Sequence, residues 1–360
     1  MRKGKEESIT EILKLIAPGT PIRDGLENIL RARTGALLLI TDNNEVLKEI
    51  VDGGFTINED YTSSKLYELA KMDGAIVLSG DLKKILYANA QLIPSYEIST
   101  LETGTRHRTA ERTAKQTGEL VISISQRRSI ITVFKGNERY VLEDTNSVLN
   151  RANQAIQTLE KYKKVFDGKL DLLNEYEFND IVTLQNVIIA IQRAEMVMKI
   201  VEEIQRQIYE LGSDGRLVKM QLEELIGGLE KEEMLIIKDY FQEDKKKKRT
   251  PETIISSLEE LSYEDLGKDS TIAKLLGYES FDNYDEVAVY TKGYRILSKV
   301  PRMPNNIVEN LIGSFKSFQH ILAADIETLD EVEGIGEIRA RTIKQSLKRM
   351  QEQFIFDNLF

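Results

Sequence analysis

The chain has six prolines in 360 residues, and none lies from Tyr96 through Arg249. Proline inside a helix removes one hydrogen bond and clashes with the preceding turn, so a proline-free stretch of this length favours long helices. The apolar spacing agrees with that expectation. Val148, Ala152, Ala155, Ile156, Leu159, Tyr162 and Phe166 recur at helical intervals, and further periodic stretches run from Val182 to Leu211 and from Leu217 to Phe241. From about Thr145 to Tyr290 the chain therefore reads as an elongated all-α spine. The run Lys245–Arg249 (KKKKR) could be a nuclear-localisation signal or a phosphate patch, but a solvated charged connection is the expected reading.

On the N-terminal side, apolar runs of strand length occur at Ala36–Ile40, Ala75–Ser79, Leu120–Ser125 and Ile130–Phe134. Helical patterns at Ser63–Met72 and Thr105–Gln116 lie between them, the second stopped by Gly118. This alternation predicts one mixed sheet with helices packed on it. On the C-terminal side, Val300, Met303, Val308, Leu311 and Phe315 match Val332, Ile335, Ala340, Ile343 and Leu347 at an offset of 32. Two copies of a hairpin plus helix would bury together what neither buries alone. The expected division is 1–147, 148–291 and 292–360.

Several kinds of chemistry are excluded by composition. Without cysteine there are no disulfides, thiolate metal sites or cysteine nucleophiles. His107 and His320 are the only histidines, which excludes clusters of histidine ligands. The net charge of −10 supplies no global field for nucleic acid, so any such contact must come from a local patch. No apolar run is long enough to span a bilayer, and the N-terminal segment MRKGKEESITEILKLIAPG lacks a signal-peptide core. A soluble cytoplasmic protein is expected. No Gly-Lys-Ser/Thr phosphate loop occurs, and Gly334-Ile335-Gly336 lacks the third glycine of a dinucleotide fingerprint.

The segment Glu102-Thr103-Gly104-Thr105-Arg106-His107-Arg108-Thr109 opens a helix with cations where the helix dipole is already positive. Free amides, an N-capping hydroxyl, the Thr105 and Thr109 hydroxyls and two guanidinium forks would together cradle a polyphosphate. The plainer alternative is a pair of solvated arginines neutralised by acids such as Glu111. Ser125, followed by Arg127 and Arg128, could add to an anion site. Asp73-Gly74 lies between a helix end and a strand, either as an ordinary turn or as a carboxylate awaiting a cation, with Gly74 allowing close approach.

Gly19-Thr20-Pro21, Asp52-Gly53-Gly54-Phe55, Tyr67 to Ala75 (YELAKMDGA), Gly104 to Glu111 (GTRHRTAE) and Ala152-Asn153-Gln154-Ala155 together resemble bacterial DNA integrity scanning proteins. The resemblance covers the whole chain, and its paired Asp-Gly-Ala and Arg-His-Arg motifs are those of diadenylate cyclase domains. It implies a multidomain protein: an α/β cyclase domain, a helical spine and a C-terminal tandem helix-hairpin-helix domain. The implied reaction condenses two ATP into cyclic di-AMP and two pyrophosphates, coupled to binding of branched or damaged DNA. The alternative is a non-catalytic ATP-binding sensor of DNA structure. Two cyclase domains must face each other, which implies a homo-oligomer, an octamer in the family pattern, cytoplasmic and nucleoid-associated. By motif match Asp73, Arg106, His107 and Arg108 are catalytic. ATP would meet Gly74, Leu92, Thr105, Arg106, His107, Arg108, Thr109, Ser125 and Arg128, with the main chain of Leu92 reading adenine. Asp73 would hold Mg2+ or Mn2+, most of whose other ligands come from phosphate, or activate the 3′-hydroxyl.

Val332-Glu333-Gly334-Ile335-Gly336-Glu337-Ile338-Arg339 resembles a helix-hairpin-helix loop. Gly334 and Gly336 would let backbone amides approach a DNA phosphate while Ile335 anchors the hairpin. Arg339 lies beside it, and Arg341, Lys344, Gln345 and Lys348 share one face of the next helix. Such contacts carry little sequence information. The first copy, around Pro301-Arg302-Met303-Pro304, has lost both glycines and serves as structural partner. Hairpins of this kind can also contact protein. A two-metal nuclease is disfavoured because no carboxylate cluster has plausible spacing.

Overall fold

The computed structural model describes residues 10–243 and 249–357. Lys245–Lys248 of the KKKKR run and the first nine residues of the N-terminal segment lie outside this range. The chain forms two compact units, one from the part up to Gln154 plus Gln205–Lys219, the other from Ala155–Ile204 plus the part from Met220 onward.

The first unit is built on a mixed sheet of eight strands. They are β1 (Ala36–Ile40), β2 (Val51–Asp52), β3 (Phe55–Asp60), β4 (Ala75–Leu78), β5 (Lys84–Leu92), β6 (Leu120–Ser125), β7 (Ile130–Lys135) and β8 (Glu138–Leu142). The order is β2-β5-β4-β1-β6-β7-β8, with β3 pairing β5. β1 and β4 are parallel, whereas β6 runs antiparallel to β1 and β5 antiparallel to β4. The four apolar runs read from the sequence are the four central strands β4, β1, β6 and β7. β1 is buried along its whole length, as expected of a strand covered on both faces.

Helices that cover the sheet include α1 (Pro21–Arg31), α2 (Asn44–Ile50), α3 (Ser63–Leu69) and α4 (Thr105–Thr117), and Ile12 and Leu13 of the helical residues 10–15 join the same core. Strand side chains alternate between faces, so Leu38, Ile40, Ile122 and Ile124 pack with Leu26 and Ile29 of α1 and Leu66 of α3. Leu37, Leu39, Val121 and Phe134 pack on the other face with Ile50 of α2 and Ala110 and Ala114 of α4. Each of the Leu, Ile, Val and Phe side chains among these contributes about 1.5–3 kcal/mol by leaving water. Helix α4 ends at Gly118 in the left-handed conformation (φ 73°), as the sequence indicates.

Beyond the sheet lie the two expected long helices, α5 (Thr145–Asn179) and α6 (Leu184–Leu211). The third expected helical stretch is instead broken into α7 (Arg216–Leu225) and α8 (Leu229–Tyr240). Gly228 between them adopts φ 84°, which a continuing helix of L-residues does not permit.

In the second unit, helices α9 (Pro251–Glu259), α10 (Tyr263–Leu266) and α11 (Asp269–Leu276) precede α12 (Tyr294–Leu297), α13 (Asn305–Phe315), α14 (Phe318–Ala323), α15 (Ile326–Asp330) and α16 (Glu337–Asp357). All ten near-repeat positions belong to one hydrophobic cluster, centred on Leu311, Phe318, Ala340, Ile343 and Leu347. A buried polar network ties this cluster to α5 and α8. Arg295 is fully buried, pairs with Glu177 and donates to Asn174 Oδ1 at 2.6 Å. Asp239 accepts the amides of Gly293, Tyr294 and Arg295 at 2.7, 2.6 and 3.0 Å, and so caps α12. Tyr240 donates to Glu177 at 2.6 Å. Removing one partner of a buried pair typically costs about 3–5 kcal/mol, so this network fixes the hairpin segments against the spine helices.

Candidate functional site

The pairing register brings scattered segments to one edge of the sheet. Because β1 and β4 are parallel, Gly35 before β1 and Asp73-Gly74 before β4 lie at the same edge. The antiparallel partners deliver their far ends there, since Ile124 of β6 faces Ala36 and Ala90 of β5 faces Ala75. Ser125 and Leu92 therefore reach the same edge.

Helix α4 points its first turn at this region. The hydroxyls of Thr20 and Thr62 and the amide of Asn43 cap α1, α3 and α2, but the N-cap of α4 is Gly104, which has no side chain to offer. The expected capping hydroxyl is thus absent, and the first-turn amides are left open. No acid lies in this turn. Glu111, the anticipated neutraliser, is committed elsewhere: it accepts from Thr100 Oγ1, from Lys115 Nζ at 2.7 Å and from the Leu101 amide at 3.2 Å. Burial would raise its carboxyl, but these donors together hold it below the usual value. Arg106 is half-buried with its guanidinium against Gly35, while Arg108 is exposed, and neither pairs with an acid among the described residues. Thr105 is exposed and Thr109 half-buried on the same helix.

His107 behaves differently from its neighbours. Consecutive helical residues point about 100° apart, and of the three it is His107 that is buried while Arg106 is half-buried and Arg108 exposed. The imidazole is turned beneath the helix, with Nδ1 3.1 Å from Ser123 Oγ and its ring edge-on to Phe134. Its Nε2 is buried without a partner. Burial lowers its pKa, and Arg128 and Arg139 act in the same direction against Glu102. The ring is therefore a neutral group supporting the helix start from below. Ser123, a hydroxyl within the apolar run Leu120–Ser125, is a site residue that the sequence reading passed over.

Asp73 is exposed, with no hydrogen bond or ion pair among the described residues. Gly74 has φ 87°, and a Cβ there would lie 2.7 Å from the Ala90 carbonyl. Glycine is thus required twice over, by its own left-handed backbone and by the close approach of β5, which bulges at Asn89 (φ 54°). Leu92 has a buried side chain, leaving only its main chain for a ligand. Ser125 accepts the Arg128 amide at 3.2 Å and closes the turn that presents Arg127 and Arg128 to solvent. No group of three or more potential metal ligands occurs among the described residues. The lone free carboxylate of Asp73 fits a divalent ion whose other ligands are phosphate oxygens.

The two hairpins of the second unit share one backbone pattern. Val300 donates to Leu297 O at 3.1 Å and Val332 to Leu329 O at 3.3 Å, and Val308 and Ala340 donate to Pro304 O and Gly336 O at 3.2 and 3.0 Å. Gly334 (φ 82°) has its counterpart in Arg302 (φ 58°), so the first hairpin keeps the conformation without glycine. Ile335 is buried as an anchor. A Cβ at Gly336 would meet nothing within 4 Å, so no neighbouring atom requires glycine there. Arg339 donates to the Gly334 carbonyl, and Arg341 lies 2.5 Å from Glu337. Lys344 corrects the expected DNA-facing set. Its ammonium is turned inward onto Leu322 O at 2.7 Å and Ala324 O at 2.5 Å, satisfying the end of α14. Gln345 and Lys348 remain exposed, and His320 Nδ1 lies 3.0 Å from the Phe315 carbonyl.

A nucleotide-binding domain model, described as that of the DisA bacterial checkpoint controller, matches residues 23–139, and a model of the linker region of the same controller matches residues 142–284. The chain is thus a nucleotide-binding α/β domain joined to a helical linker. DNA integrity scanning protein DisA of Clostridioides difficile (strain 630) is 56% identical over 345 residues, 96% of either chain. The protein of the same name from Clostridium kluyveri is 53% identical over the whole of both chains, and that of Carboxydothermus hydrogenoformans 55% identical over 97% of this chain and 98% of its own. The chain belongs to the DisA family. Among solved structures, DacA of Staphylococcus aureus (a double mutant) aligns with 39% of this chain and 90% of its own at 20% identity, with a TM-score of 0.28. Among the described residues no helix is long and apolar enough to cross a membrane.

Proposed function

We propose that this chain is a diadenylate cyclase that condenses two ATP into cyclic di-AMP and two pyrophosphates and whose C-terminal hairpins bind branched or damaged DNA. One observation carries the cyclase reading: an uncapped helix start bearing two arginines without acid partners, near the sheet edge that also holds the free carboxylate of Asp73. A polyphosphate satisfies the open amides, the guanidinium groups of Arg106 and Arg108 and the hydroxyls of Thr105 and Thr109 together. Ser125 and Arg128 bound the same region, His107 supports it from beneath, and the main chains of Gly74 and Leu92 face the nucleoside. A divalent ion, Mg2+ or Mn2+, would neutralise phosphate charge beside Asp73. One domain supplies one ATP, so ring closure needs a second copy facing the first, and the expected assembly is a homo-octamer.

On this reading the functions divide as cyclase 1–147, spine 148–291 and DNA-binding helix-hairpin-helix 292–360. In the last of these, Gly334, Ile335 and Gly336 present the hairpin to a phosphate, with Arg339, Arg341 and Lys348 beside it. The expected setting is the cytoplasm, in association with the nucleoid. Incubating the protein with ATP and magnesium or manganese should yield cyclic di-AMP by mass and two pyrophosphates per product. Binding of ATP without pyrophosphate release would instead make the protein a sensor that uses ATP as a ligand.

A further inference from the structure

Gly35, immediately before β1, belongs to no motif and is not in the left-handed conformation. Its own backbone therefore does not require glycine. A Cβ built there would lie 2.1 Å from a terminal nitrogen of Arg106, 3.2 Å from the Arg106 Cζ and 3.2 Å from the Ile124 carbonyl. The group such a Cβ would strike hardest is the guanidinium of Arg106, with the Ile124 carbonyl a second, milder contact. No hydrogen bond or ion pair holds that guanidinium among the described residues. We propose that Gly35 is a positioning residue whose missing side chain forms the seat that holds Arg106 at the phosphate-binding edge of the sheet.

This inference rests on the reading of Arg106 as a phosphate ligand. A long arginine side chain loses considerable rotamer freedom when it binds an anion in one geometry. A seat that orders it beforehand removes that loss from the binding step. A methyl group needs roughly 3.5–4 Å to its neighbours, so alanine at position 35 displaces the guanidinium by about 1.5 Å. The displaced group is the end of a flexible side chain and the Ile124 carbonyl has to give by only a few tenths of an ångström, which leaves the fold intact.

The test is a double-mutant cycle on the full chain, with α,β-methylene-ATP and magnesium as one probe and adenosine as the other. Gly35→Ala should weaken the nucleotide analogue roughly tenfold, leave adenosine affinity unchanged and leave the unfolding temperature unchanged. In the Arg106→Ala background, Gly35→Ala should have no further effect. Losses that add in the double variant, or analogue binding by Gly35→Ala as tight as the parent's while Arg106→Ala is weakened, would overturn the seat and leave the phosphate reading standing. Parental affinity in Arg106→Ala would instead remove the phosphate reading itself, and the seat with it.

Discussion

Replacing Arg108 by Ala should move stability and ligand affinity in opposite directions. Arg108 is exposed in the first turn of α4, where no acid offsets it and the N-cap glycine leaves the helix amides unsatisfied. A cation at that end of a helix costs about 0.3–1 kcal/mol. Removing it should return that amount and raise the unfolding temperature by about 1–4 °C for a domain of this size. With ATP bound the same charge changes sign in value. A charge-assisted bond to phosphate is worth about 1.5–3 kcal/mol, so the variant should bind the triphosphate roughly 10- to 150-fold more weakly. Calorimetric titration with α,β-methylene-ATP and with adenosine, together with thermal unfolding of the free protein, reads both effects. Adenosine affinity should hardly change. A variant that is less stable and loses both ligands equally would refute the reasoning, because the arginine would then be part of the fold.

Asp73→Asn should retain nucleotide binding while cyclic di-AMP formation, followed by mass, drops by about 10²- to 10⁴-fold; a parental rate would make Asp73 a turn residue only. Gly336→Val should cost about 1 kcal/mol of fold stability through the helix start, yet abolish DNA binding in a gel-shift assay if a phosphate meets that backbone; unchanged shifts would move the contact off the hairpin. Desolvation, and next the charge of Glu195, raise the carboxyl of buried Glu233, so the folded chain binds a proton there more tightly than the unfolded chain does. The stability from that site is complete below the ordinary carboxylate pKa and is lost as pH rises through the raised value. Unfolding temperatures of Glu233→Gln should therefore fall less than the parent's between pH 5 and 9, and parallel curves would exclude the effect.

Features that depend on local chemistry could be read from the residues. The central strands showed as continuous apolar runs because both their faces are covered, and Gly118 marked the end of α4 through the left-handed cap it provides. β5 escaped notice because Tyr87-Ala88-Asn89-Ala90-Gln91 lacks β-branched residues and bends at Asn89. The crowded cations of α4 marked the right element, but adjacent residues cannot show which of them turns under a helix. Only packing against Ser123 and Phe134 separates His107 from the arginines. Similarly, the helical spacing of Arg341, Lys344 and Lys348 placed them on one face without showing that the α14 carbonyls capture Lys344. Gly35 carried no signal, since a lone glycine before a strand is ordinary until a distant guanidinium is seen resting on it.

The Arg302–Gly334 correspondence bears on valency. Both hairpins adopt the same turn, but the first fills the key position with a long charged side chain, and Pro304 has no amide to offer where Gly336 does. On the proposed reading each chain then grips a nucleic-acid backbone at one hairpin rather than two. A single grip of this kind releases few counterions and holds weakly in physiological salt. Useful retention must come from several chains engaging together, where each added grip acts at an effective concentration set by the assembly. Selection among nucleic acids then depends on how many backbones lie within reach at once, with no base being read.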